Sequence, residues 1–277
     1  MPVLLPEEIE IYRDRMWRRT PDLRVEHSAD AERMIEGLGF CGGLVDCRRP
    51  GPSLYVAVCG RRDAHMPRNV QKDPESSLTW IMKDEILRRG RFYYAKLLKG
   101  RSTFVAPRLI PHFNALFGVE KKQERIKLSP AARAVLKALR KERELATVDV
   151  RKAAGIKERP LLTRALDELQ RVMKVIPSEV VYAPWFTYIW TLAEERFAQQ
   201  MSVKVGREVA LREIARAYLR GGGMTALGEL ARVTGLSRSD AGRGNHALVA
   251  EKYAERKAVG VYRLTGLDES LRQLEIG

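Results

Sequence analysis

Two glycine turns 80 residues apart, Gly155-Ile156 and Gly235-Leu236, each stand between a short apolar helix candidate and a longer one, and this repeat constrains the fold most. Before the first turn, Ser129-Pro130 places a cap ahead of a proline at the first helical position. Ala134, Val135, Ala138 and Leu139 then give that helix a buried stripe as far as Lys141. Thr147 caps a short helix, Val148 to Ala154, and the turn leads into a longer one whose Leu162, Ala165, Leu166, Leu169, Val172 and Met173 face inward. Lys174 to Pro177 has the texture of a strand, and Val180 to Tyr182 with Thr187 to Leu192 that of a hairpin around Ala183-Pro184-Trp185. Three helices followed by a hairpin make a winged helix.

The order recurs in the last third: a helix from Arg207 to Leu219, a break at Gly221-Gly-Gly223, a short helix from Thr225 to Val233, then the second turn. Val150 stands five residues before Gly155, as Leu230 does before Gly235. Ser237 and Asp240 resemble a capping box, and Val259 to Leu264 is a wing strand candidate. Gly242 and Gly244 each weaken the third helix of this degenerate unit by roughly 1 kcal/mol relative to alanine.

The first third is less regular. Helices are expected from Pro6 to Arg19, from Ala29 to Glu36 behind a Ser28 cap, and from Leu78 to the basic run Arg88-Arg89-Gly90-Arg91. Residues 40–76, which include the apolar run Leu54-Tyr-Val-Ala-Val-Cys59, are expected as strand and loop. Phe92 to Leu98, a turn at Lys99-Gly100, the strand-like Thr103-Phe-Val105 and a helix opened by Pro107 follow. Glu120 to Lys127 is the most polar stretch and is expected as a linker. The resulting fold class is mainly α with small β-hairpins (α+β), built as tandem winged helix-turn-helix units at 1–120, 128–195 and 203–277.

Fifty lysines and arginines against 35 aspartates and glutamates give a net charge of +15, so a polyanion is the better partner. The excess is spread: +7 over residues 1–128 (24 basic, 17 acidic) and +4 over each of 129–200 and 201–277 (13 basic, 9 acidic). No apolar run approaches the roughly 20 residues that span a bilayer, and the N-terminus turns acidic at Glu7-Glu8 without a basic region ahead of an apolar one. The chain is therefore expected in the cytoplasm, nucleoid-associated if bound to DNA, with no membrane contact and as a monomer. Three cysteines, Cys41, Cys47 and Cys59, fit a reducing compartment without disulfides. With His65 they lack the spacings of structural zinc sites, and phosphate-loop and dinucleotide fingerprints are absent, so neither metal nor cofactor is expected.

The stretch from Trp80-Ile-Met-Lys-Asp-Glu through Arg88-Arg-Gly-Arg-Phe-Tyr-Tyr-Ala-Lys-Leu-Leu-Lys-Gly-Arg-Ser-Thr-Phe-Val-Ala-Pro107 to Pro111-His-Phe113 resembles the AlkZ/YcaQ-type tandem winged-helix proteins. The block from Ser129 to Trp190 is similar to that family's middle winged helix. The resemblance implies three winged helices lining a concave cationic surface and, in the crosslink-repair DNA glycosylases of the family, excision of alkylated bases. Those enzymes use a glutamine-x-glutamine or glutamine-x-aspartate motif just after a Leu-Gly-aromatic segment. Here Leu38-Gly39-Phe40 is followed by Cys41-Gly42-Gly43-Leu44, which puts Gly42 and Leu44 where the two polar residues belong. Neither side chain can orient water or stabilise a cationic sugar. The sequence also stops at Gly277, where the enzymes would continue into a β-barrel.

Two carboxylates are candidates for relocated chemistry: Asp46, two positions from the motif, and Asp84 on the helix after Leu78. Candidate DNA contacts are Lys83, Arg88, Arg89, Arg91 and Arg101 in the first third; Lys157, Arg159, Thr163, Arg164, Gln170 and Arg171 on the third helix of the middle unit; and Arg238, Arg243 and Asn245 in the last unit. Asp167 and Glu168 sit among the middle set and would repel phosphate. Alternation on the wing places Phe186, Tyr188 and Trp190 toward the core and leaves Trp185 at the tip for contact, while at least one of Phe92, Tyr93 and Tyr94 belongs to the core. The reading is a double-stranded DNA-binding protein, uncertain as an enzyme and leaning against it. The alternatives are a glycosylase with a relocated carboxylate, and a protein-interaction scaffold or transcriptional regulator.

Overall fold

A computed structural model describes residues 5–267. A leading helix, α1 (Glu7–Met16), precedes three units that repeat one element order: helix, strand, helix, helix, strand, strand. The first unit comprises α2 (Ser28–Leu38), β1 (Phe40–Gly42), α3 (Leu54–Cys59), α4 (Pro74–Arg89), β2 (Tyr93–Lys96) and β3 (Ser102–Val105). Helices α5 (Ile110–Phe117) and α6 (Glu124–Lys127) join it to the middle unit: α7 (Pro130–Glu142), β4 (Glu144–Ala146), α8 (Thr147–Ala153), α9 (Arg159–Arg171), β5 (Val175–Val181) and β6 (Thr187–Leu192). Short helices α10 (Ala193–Arg196) and α11 (Ala198–Ser202) lead to the last: α12 (Arg207–Gly222), β7 (Met224–Thr225), α13 (Glu229–Thr234), α14 (Arg238–Ala250), β8 (Ala254–Ala258) and β9 (Val261–Leu264). In every unit the last strand lies between the other two, in orders β1-β3-β2, β4-β6-β5 and β7-β9-β8, all antiparallel. The fold is α+β, built of tandem winged helix-turn-helix units.

Capping chemistry sets several helix starts. Ser129 Oγ accepts from the Ala132 N–H (3.2 Å) and itself donates to the Glu168 carboxylate (2.6 Å), which ties the start of α7 to α9. Ser237 caps α14 in the same way through the Asp240 N–H (3.0 Å). Helix α4 starts earlier than its apolar period, at Pro74, because Asp73 accepts from the Ser76 N–H (2.7 Å).

Three expectations are corrected. The run from Leu54 to Cys59 is helical, although its valines favour a strand; all six residues are buried, so the side chains are packed on every face rather than alternately. The polar stretch after Glu120 is not an open linker. Glu124 is buried at the start of α6 and accepts from Arg140 (2.7 and 2.9 Å) and Lys174 (2.8 Å), fastening that helix to the middle unit. The Gly221-Gly-Gly223 run does not break α12 until Gly223. A Cβ on Gly221 would stand 2.6 Å from Leu38 Cδ2, so the glycine lets α12 lie against α2.

The units are fused rather than strung together. One core joins Phe40, Tyr93, Val105 and Phe113 of the first to Ile214, Tyr218 and Leu230 of the last, with Phe40 stacked on Tyr218 (6.3 Å) and edge-on to Phe113 (5.4 Å). Beside it, Arg13 of α1 grips Glu229 with two hydrogen bonds (2.9 and 3.0 Å) and donates to the carbonyls of Gly222 (3.0 Å) and Met224 (2.6 Å), all buried or nearly so. The middle unit has its own core, joins the shared one through Met173 and Ile176, and also meets the first unit through Val180 and Tyr188 of its wing. Phe92, Tyr93 and Tyr94 are all buried.

The two helical glycines of α14 differ in environment. A Cβ on Gly244 would stand 2.5 Å from the Leu211 carbonyl oxygen, whereas one on Gly242 meets nothing within 4 Å. Gly242→Ala is therefore expected to raise stability by up to about 1 kcal/mol. Gly244→Ala should lower it by about 1–3 kcal/mol through overpacking against α12, and urea midpoints of the two variants check both signs.

Candidate functional site

A cleft of about 990 Å³ opens between the first and middle units. Leu44, Trp80, Tyr94, Lys96 and Ser102 line it from the first unit. The middle unit supplies Arg151, Arg159, Thr163, Asp167 and Gln170 from α8 and α9, and Trp185, Phe186, Tyr188 and Trp190 from its wing. An aromatic chain follows the wall: Trp80 to Phe186 (6.2 Å), Phe186 to Tyr182 (5.6 Å) and to Tyr188 (5.3 Å), and Tyr188 to Trp190 (5.6 Å). Trp190 is buried and donates from Nε1 to Thr147 Oγ1 (2.9 Å). Phe186 is not core-facing as expected: it is 48% exposed, because toward the tip that strand face borders the cleft rather than the core. Trp185, at the tip, is 81% exposed.

Lys83 and Asp84 are where the expectations fail most clearly. Lys83 is 1% exposed; it pairs with Asp84, donates to Tyr188 Oη (3.0 Å) and lies 4.3 Å over the Trp80 ring. Tyr182 donates to Asp84, and Trp80 Nε1 donates to Tyr182 Oη (2.9 Å). Burial pushes the Lys83 ammonium below its usual range, with Asp84 opposing the shift. Burial, then the Asp84 hydrogen bond, pushes Tyr182 up to about 12, so it remains a donor. Lys83 cannot reach a phosphate and Asp84 cannot reach a substrate; together they bolt α4 to the middle unit's wing.

Asp46 is also structural. It is buried and accepts from Arg48 Nε (2.8 Å) and from the backbone N–H groups of Met66 (3.1 Å) and Arg48 (3.2 Å). Burial pushes its carboxyl up, but those donors outweigh it and hold the group below the usual carboxylate range. The two positions corresponding to the glycosylase motif have different fates. A Cβ on Gly42 would meet Val45 Cγ2 at 2.9 Å, so that position is closed, while Leu44 presents an apolar side chain to the cleft.

The carboxylate that does line the cleft is Asp167, paired with Lys96 (2.9 Å). The sequence signal for it was present: Arg159, Thr163, Asp167 and Gln170 are spaced as one stripe of α9. Gln170, expected to face outward, is buried. Its side-chain carbonyl accepts from the Lys96 N–H (2.9 Å) and its amide donates to the Leu166 carbonyl (3.3 Å), which seats α9 against β2. Cys47 Sγ approaches His65 Nδ1 (3.5 Å), Cys41 and Cys59 are buried, and among the described residues no three His, Cys, Asp or Glu side chains gather as a metal site.

The cations divide into two kinds. Arg88 pairs with Glu179 (2.6 Å), Arg89 and Arg91 with Glu32 (3.2 and 3.0 Å), and Arg243 with Glu208 and Asp240. On α8, α9 and the turn between them, Arg151, Lys152, Lys157, Arg159, Arg164 and Arg171 have no carboxylate partner among the described residues, and all but half-buried Arg151 are exposed. Arg238 at the start of α14 is likewise exposed and unpaired there. Half-buried Arg101 has its guanidinium pKa pulled down by burial and by the nearby Arg49. Asn245 is not a surface contact: it is buried, with its side-chain carbonyl unpartnered.

A family model described as AlkZ related matches residues 25–231. No curated protein matches the chain. Among solved structures, the DNA glycosylase AlkZ of Streptomyces sahachiroi is similar, with a TM-score of 0.58 at 14% identity over 96% of this chain and 71% of that one. At that identity the likeness concerns the fold.

Lys83→Met strands the Asp84 carboxylate in the interior and is expected to cost about 3–5 kcal/mol of stability. Chemical denaturation reads that loss; a variant that weakened DNA binding at unchanged stability would instead make Lys83 a phosphate contact.

Proposed function

The chain belongs to the AlkZ-related family, and from that premise we propose that it is a DNA-binding protein whose winged-helix units, 1–120, 128–195 and 203–277, hold duplex DNA mainly by its phosphates. The observation that carries this reading is the set of cations on α8 and α9 without carboxylate partners. An arginine already bonded to glutamate must give up that pair to reach a phosphate, whereas a free one releases a DNA counterion at no such cost. In a helix-turn-helix unit the third helix enters the major groove, which gives Lys157, Arg159, Thr163, Arg164 and Arg171 of α9 the leading role, with Arg238 of α14 and Arg101 as secondary contacts. Binding uses no metal or cofactor, and the protein acts as a monomer in the cytoplasm. The paired Arg88, Arg89, Arg91 and Arg243 contribute less.

Fluorescence anisotropy with a labelled duplex at several salt concentrations tests this. Affinity is expected to fall steeply with salt; Arg159→Ala and Arg164→Ala should each reduce the log–log slope by about 1, and Arg91→Ala should leave it nearly unchanged. Salt-independent affinity would defeat the reading.

A second reading has one specific observation behind it. Asp167 brings a carboxylate to the cleft that Leu44 borders, which neither Asp46 nor Asp84 does. In a glycosylase, such a group takes a proton from water as the oxygen attacks the sugar's anomeric carbon and the bond to the base breaks. Wild-type protein would then release abasic product from alkylated duplex in single-turnover assays, and Asp167→Asn would lose at least about 100-fold in rate while keeping its affinity. No product from the wild type would retire this reading and leave DNA binding intact.

A further inference from the structure

We propose that the cleft between the first and middle units is a receptor for an unpaired nucleobase, stacked on the wing-tip aromatics with its backbone phosphate held by Arg151 and Arg159. The inference rests on the DNA-binding reading and deepens it, because phosphate contacts along α9 leave the wing-tip aromatics without a partner.

Exposure points to this place. Among the described residues, the large hydrophobic side chains left in solvent are aliphatic on every element except the wing tip, where Tyr182 (53%), Trp185 (81%) and Phe186 (48%) stand together. Aromatic rings of this size normally bury most of their surface, so three exposed neighbours mark a surface that another group covers. The space beside them, about 990 Å³, is at the upper end of the roughly 300–1,000 Å³ of small-ligand sites, ample for a base and its sugar.

Charge selects the occupant. Arg151 and Arg159 line the same cleft and have no carboxylate partner among the described residues. Flat aromatic faces beside uncompensated guanidinium groups match a nucleotide, an apolar π-face joined to an anion, and match an apolar protein segment poorly. A paired base within a duplex has both faces covered by its neighbours and its edge in use; only an unpaired one can enter. The polar groups at the cleft further indicate how the edge would be read. Gln170 has both ends of its amide engaged and Thr163 donates to the Arg159 carbonyl (3.1 Å), while the Asp167–Lys96 ion pair lies beside them at the cleft. A carboxylate and an ammonium side by side offer an acceptor and a donor, which can meet the edge of any base. The site therefore selects the unpaired state rather than base identity.

The test uses the full chain and three labelled DNAs of equal length: a perfect duplex, the same duplex with one unpaired base, and that bulged duplex with 2-aminopurine as the unpaired base. The bulged duplex is expected to bind about tenfold more tightly than the perfect one, and 2-aminopurine emission should be quenched on binding. Trp185→Ala, an exposed position, should abolish the preference and the quenching by lowering bulged-duplex affinity far more than perfect-duplex affinity, and Trp185→Phe should restore both. Duplex binding without a bulge preference, or a Trp185→Ala loss equal for both DNAs, would overturn the inference and spare the proposed function. No binding to any of the DNAs would overturn the proposed function itself.

Discussion

An ammonium and a carboxylate removed from water are tolerable only when each meets the other and their remaining hydrogen-bonding positions are filled. The Lys83–Asp84 pair is close to that condition because the middle unit's wing completes it: Tyr188 accepts a hydrogen bond from Lys83, and Tyr182 donates one to Asp84. Without the wing the two charges would lack these phenol partners, and the two phenols would lack theirs. Docking the two elements resolves both. The cleft is a consequence, since the surfaces that cannot touch once wing and α4 are bolted together are the faces of Trp80, Phe186 and α9. The pair that looked on sequence grounds like machinery is what gives the machinery its shape.

The first and last units are joined by a different device. A glycine removes the side chain where the helices approach: Gly221 of α12 lies under Leu38 of α2. Arg13 then closes the seam by meeting a carboxylate and two carbonyls left over at the end of α12 and in β7. One junction is thus close-packed throughout, and the other, although Met173 and Ile176 of the middle unit join the same core, is also polar, aromatic and open on one side. Ligand sites belong at the second kind, where apolar surface and free hydrogen-bonding groups stay accessible.

How much of this was legible in the sequence depends on range. Local rules located several helices of the second half well, because caps such as Ser129 and Ser237, the turn at Gly155 and the apolar stripes act within a few residues. They failed where a distant segment decides. Leu54 to Cys59 carries strand-forming valines, yet burial on all sides makes it a helix. Lys83, Asn245 and Gln170 look like surface residues by type, and each is buried by an element far along the chain. Asp167 was set aside as a like charge to phosphate; its place opposite Lys96 of β2 depends on a contact 71 residues away. The charge total of +15 was legible, but which cations are spent on glutamates was not.

That distinction bears on what the chain has kept of its family. At Gly42, where the resemblance expects a polar side chain, a Cβ would stand 2.9 Å from Val45 Cγ2. At Leu44, the other such position, the side chain borders the cleft but offers only hydrocarbon. Aromatic rings kept in solvent cost hydration free energy and invite aggregation. The rings remain, beside arginines that no carboxylate has neutralised. Binding at the cleft therefore imposes a requirement of its own on these residues, separable from bond cleavage, and it accounts for a wing tip that stability alone would have buried.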